Sequence, residues 1–168
     1  MAVTVELPRP PHVSPEDFSR ADLEFRGVDH SGPSFEARVY LENTNADADS
    51  GRGEDSGYAG SFYVFGHGGC FGEGGHCDVH EGPRGPYDRR LPHQLTPQFR
   101  TVVITDALRR VVRGGEGETF TATVVPIVYD NPASLVGDVS DPLKFESVSL
   151  ITFEDPAAAG IPLQARGG

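Results

Sequence analysis

"SFEARVYLEN", residues 34–43, alternates without a break. Phe35, Ala37, Val39 and Leu41 fall on one side, and Glu36, Arg38, Tyr40 and Glu42 on the other. That period of two is what a strand requires when one of its faces meets a core. A helix would instead repeat its apolar positions three and four apart.

Similar text recurs along the chain. "ADLEFRGVDH" (21–30) alternates weakly at Leu23 and Phe25, and "YAGSFYVFGH" (58–67) reads as an apolar, aromatic central strand. "FRTVVITDAL" (99–108) starts as a strand, and Thr105 is placed to cap a short helical stretch containing Ala107 to Arg110. "TFTATVVPIVYD" (119–130) is another strand, in which Pro126 predicts an edge position or a bulge. "LKFESVSLITFE" (143–154) fits one more strand, with a slip between Phe145, Val148, Leu150 and Phe153. Phe62, Phe65, Phe99, Phe120 and Phe145 are expected in the core.

Glycine (21) and proline (14) make up about a fifth of the 168 residues, above the ~12% of ordinary proteins. Many short strands, almost no amphipathic helix and long Gly/Pro-rich loops predict an all-β fold. An antiparallel β-sandwich or a partly closed barrel satisfies that pattern. The expected organisation is an extended arm over 1–17, whose "PRPPHVSPED" holds four prolines, a sandwich over 18–155 and a poorly patterned tail over 156–168. "NADADSGRGEDSG" (45–57) reads as a flexible acidic rim. Its Asp47, Asp49, Glu54 and Asp55 offer oxygens to Ca²⁺ but lack the spacing of a calcium loop.

The net charge of −11 argues against nucleic acid and anionic membranes as partners. No apolar run reaches the roughly 18 residues of a membrane-spanning helix. The start, "MAVTVELPRPP", has neither the basic region nor the apolar stretch of an export signal, so a cytoplasmic location is expected.

One segment carries chemistry. "GHGGCFGEGGHC" (66–77) runs on to His80 and gathers His67, Cys70, His76, Cys77 and His80 among glycines. Thiolate and imidazole suit copper or zinc, and the glycines allow the backbone to turn tightly. The spacing matches no established finger. A Cys70–Cys77 disulfide is the competing reading, worth about 2–3 kcal/mol for so short a loop. Two free thiols in an exposed loop are the third. Cysteine–histidine catalysis with His67, His80 or His93 would need a rigid platform that glycine does not offer, so no enzyme is expected. "RGPYDRR" (84–90), with Arg84, Arg89 and Arg90 around Tyr87, reads as a local docking patch or as a set of partners for the nearby acids.

The order of the strands resembles the C-terminal β-sandwich domain of molluscan-type haemocyanins and tyrosinase-like type-3 copper proteins. The resemblance rests on Ala59, Gly60, Phe62 and Gly66; on Ile104, Thr105, Asp106 and Leu108; and on Phe120, Val124 and Tyr129, within residues 34–130. It implies a non-catalytic accessory sandwich that covers the dicopper pocket of a helical domain. A tyrosinase-like copper protein, or another copy of this chain, is then the expected partner. The alternative is an independent copper- or zinc-binding module that handles metal for such an oxidase. The chain departs from the family pattern after the Ala-Gly-x-Phe strand, where some thirty residues intervene before the next strand.

Overall fold

The computed structural model describes residues 1–10, 14, 15, 17–66, 87, 96–114, 117–129 and 142–154. These form seven strands and one α-helix. In chain order the strands are β1 (Val3–Pro8), β2 (Phe18–Val28), β3 (Phe35–Leu41), β4 (Tyr58–Val64), β5 (Gln98–Val103), β6 (Thr119–Val128) and β7 (Ser147–Glu154). The helix α1 (Thr105–Gly114) lies between β5 and β6.

All pairings are antiparallel, and they make two sheets, ordered β1-β6-β3-β4 and β5-β2-β7. The result is a sandwich, not a closed barrel. β1 lies within the segment expected to be an arm, with Val3, Val5 and Leu7 opposite Val124, Ala122 and Phe120 of β6.

The alternation of 34–43 sets the core. Phe35, Ala37, Val39 and Leu41 point between the sheets, where they join Leu23, Phe25, Phe62, Val64, Phe120 and Val124. Phe25 is the aromatic centre, 4.9 Å from the ring of Phe62 and 5.4 Å, edge-on, from that of Phe145. Fully burying each such side chain contributes about 1.5–3 kcal/mol.

Several expectations change in the structure. β4 is an edge strand of its sheet, not a central one. Its apolar text reflects the neighbour on its free side, since β4 and β5 lie against each other across the sandwich. Gly60 makes that approach possible: its φ is +145°, and a Cβ there would stand 2.7 Å from Val102 Cγ1. Pro126 lies opposite Ala37 of β3, beyond Val3↔Val124 where the pairing with β1 ends, so its missing N–H breaks no ladder.

The helix is longer than the short stretch expected. Ala107 and Leu108 are buried and close one end of the sandwich. Thr105 Oγ1 accepts the N–H of Ala21 at 3.0 Å, and Arg109 donates to the carbonyls of Pro15 and Phe18, which ties the helix to β2.

Phe65 and Phe99 are not core residues. Phe65 follows the last residue of β4 and is 77% exposed. Phe99 falls on the outer face of β5, 49% exposed, beneath the guanidinium of Arg26 at 5.3 Å. Phe153 likewise lies outside, under Arg20 at 5.7 Å.

Candidate functional site

The outer face of the larger sheet holds an unusual charge. Glu36, at the start of β3, is 0% exposed, although the alternation puts it on the polar side. Its strand neighbours are Tyr63 of β4 and Ile127 of β6. Oε2 accepts from the Tyr129 hydroxyl at 2.8 Å, from Arg52 at 2.8 Å and from Arg38 Nε at 3.2 Å. Oε1 faces the Tyr63 hydroxyl at 3.4 Å. Burial pushes this carboxyl up, but hydrogen bonds from Tyr129, Ser61 and Arg38, with the Arg38 charge, hold it below the usual glutamate range.

Arg52 is delivered by the segment expected to be a flexible rim. That segment folds back over the sheet instead. Tyr40 donates to the carbonyl of Ser50 at 3.0 Å, Arg38 to that of Ala48 at 3.2 Å, and Ala46 is buried beside Tyr40. A short 3-10 helix (Glu54–Ser56) leads to Gly57, whose φ of +78° turns the chain so that its carbonyl takes the N–H of Leu41. Two of its acids are occupied: Asp47 accepts from Ser50 and from the Asp49 N–H, and Glu54 pairs with Arg110 at 3.2 Å.

Around this hub the surface is aromatic. Tyr63 is 60% exposed and Tyr129 56%, although both hydroxyls are turned inward to Glu36. Phe65 is exposed at the same end of the sheet, just past β4. Two guanidiniums, those of Arg38 and Arg52, face the one buried carboxylate.

That end also holds both roots of the cysteine-bearing segment. Ser34 Oγ accepts the N–H of Gly66 at 3.0 Å, and His30 Nε2 donates to the carbonyl of Thr96 at 2.9 Å. Both partners belong to the turn between β2 and β3. His67, Cys70, His76, Cys77 and His80 themselves lie outside the described residues, as do His93, Arg84, Arg89 and Arg90. Tyr87 is described and exposed. Among the described residues no three His, Cys, Asp or Glu side chains converge as a metal site.

At the α1 end lies a cleft of about 320 Å³ lined by Arg9, Leu41, Glu42, Glu54, Ala107 and Arg110, among others. Its carboxylates are engaged, Glu54 by Arg110 and Glu42 by the N–H of Thr121 at 2.7 Å. Among the described residues that line it there is no Ser, Thr, Cys, His or Lys.

This sandwich has solved counterparts. The chain is similar in fold to recombinantly expressed latent aurone synthase, a polyphenol oxidase, with a TM-score of 0.52 and 14% identity over 92% of this chain. Latent aurone synthase from its natural source gives a TM-score of 0.52 and 14% identity over 91%. In both cases the match covers 24% of the longer chain, so this chain spans about a quarter of those proteins. At such identity the likeness carries the fold. No family model matches the sequence, and no curated protein is significantly similar to it.

Proposed function

We propose that this chain is a non-catalytic accessory sandwich that docks on a tyrosinase-like dicopper domain and limits access to its copper pocket. The observation that carries the reading is the fold match itself, which takes in 92% of this chain and only 24% of a latent polyphenol oxidase. The Tyr63–Tyr129 patch supplies the docking surface. Tyrosine and arginine dominate the energetic centres of protein interfaces, and rings already fixed by Glu36 lose little freedom on binding.

The test mixes the purified chain with the dicopper oxidase of the same source, freed of any sandwich of its own. A complex and slower phenol oxidation are expected, both weakened by Y63A/Y129A. Unchanged oxidation with no complex at any ratio overturns the reading.

A second reading rests on the shared anchoring of Gly66 and Thr96, which ties together the base of the segment carrying His67, Cys70, His76, Cys77 and His80. Such closure lowers the entropy lost when distant ligands gather. On this reading the chain is a copper- or zinc-binding module. Titrating the reduced chain with either ion should give one bound equivalent, lost in C70S/C77S. A thiol assay that finds both cysteines already oxidised to each other, with no metal taken up, removes it.

A further inference from the structure

We propose that β7 is a self-association edge: two copies of this chain pair through it, antiparallel about a two-fold axis at Ile151. The two smaller sheets then become one sheet ordered β5-β2-β7-β7-β2-β5. The proposal is independent of docking on a copper protein.

The first argument is which edges are open. The two sheets end on β1, β4, β5 and β7. β4 and β5 cover each other: Arg100 Nε of β5 donates to the carbonyl of Tyr63 at 3.1 Å, and Gly60 lies against Val102. β1 has six residues and ends in Pro8, a residue that blunts an edge. β7 has eight residues, "SVSLITFE", rich in β-formers and without Pro, Lys or Arg. Among the described residues its second side pairs with no strand, and β1 of the opposite sheet approaches it without hydrogen-bonding to it. An edge that long without a protecting residue is a template for another strand.

The second argument is register. Val148 and Leu150 pack against the core, opposite Phe25 and Leu23, so even-numbered positions point inward and Ser147, Ser149, Ile151 and Phe153 outward. Residues paired across a ladder share a face, so only inward-with-inward pairings keep both cores intact. Two symmetric registers give near-complete overlap. An axis at Leu150 sets Glu146 against Glu154 of the partner subunit, a like-charge pair that opposes association. An axis at Ile151 removes that clash. It puts Ile151 against its own copy, Ser149 against the partner's Phe153 and Leu150 against the partner's Thr152. The outward-facing row Val103–Asp22–Ile151 then runs on into its symmetry mate.

Sedimentation velocity of the full chain over a concentration series tests the proposal. A reversible dimer is expected, tightened by salt because each copy carries a net charge of −11. I151K and I151E should each weaken it about tenfold or more, since each sets like charges across the axis. An equimolar mixture of the two variants should recover it. A monomer at every concentration, or a dimer indifferent to both variants, overturns the proposal. Should a variant fail to fold, amide exchange of the unaltered chain decides. Protection in β7 must rise with concentration while β1 stays unchanged, and a β7 that does not respond refutes the pairing.

Discussion

Tyr129 and Glu36 stand 93 positions apart in sequence, and their side chains meet at 2.8 Å. The bond runs from just past the end of β6 to the start of β3, and it satisfies a carboxylate that no water reaches. Arg52 and Arg38 complete the neutralisation from the covering segment and from β3.

Removing that carboxylate should cost more than its position on an outer sheet face suggests. E36A leaves two guanidiniums facing each other without a counter-charge. A loss of about 3 kcal/mol is expected, at the low end for a broken buried pair because Arg52 is half exposed and screened. E36Q keeps one acceptor oxygen and should lose less. Urea unfolding of both variants checks the order, and an E36A as stable as the unaltered chain contradicts it.

The same residue sets a pH dependence. The folded carboxyl of Glu36 titrates below its unfolded value, so its contribution is complete above the ordinary glutamate range of about 4.3. It is lost as pH falls through the lowered folded value. The stability gap between the unaltered chain and E36Q should therefore be constant near neutrality and shrink in acid. Asp29 shifts in the same direction: burial raises it, but bonds from Ser31 and the charges of Lys144 and His30 outweigh that. D29N should accordingly lose part of the remaining acid sensitivity. Paired denaturation series across pH 3–7 would show both effects.

Two phenylalanines of equal hydropathy should behave oppositely. F25A opens a hole between Phe62 and Phe145 and should cost about 3–5 kcal/mol. F99A removes a half-exposed ring and one stacked guanidinium, worth about 0.5–1 kcal/mol. Thermal melts of the two variants separate these values easily.

Gly60 should not tolerate alanine. A methyl group would meet both an unfavourable φ and the Val102 side chain, for a loss of about 1–3 kcal/mol or more. V102A relieves the contact but not the backbone strain. The double variant should thus recover only part of the loss beyond that of V102A alone.

How much of this was legible follows from what a period of two can encode. Alternation at 34–43 announced β3 and its inward face, because a strand's side chains must alternate. It could not announce that Glu36 is buried, since Arg52, which closes over it, stands in acidic and glycine-rich text that reads as solvated. Phe99 and Phe62 are equally apolar as letters; only the pairing of β5 with β2 decides which faces the core. β4 looked central because its free side is covered by the opposite sheet, a contact no single strand's text reveals. The His and Cys segment was legible as chemistry, and its ligation is a matter for titration.

The turn between β2 and β3 has an entropic consequence. With Ser34 gripping Gly66 and His30 gripping Thr96, the sandwich holds the residues on either side of 67–95. Lengthening such a closed segment costs only about 0.6 kcal/mol per doubling. The turn therefore works as a socket, where the entropy of closing a longer segment weighs little against the two bonds that hold its ends.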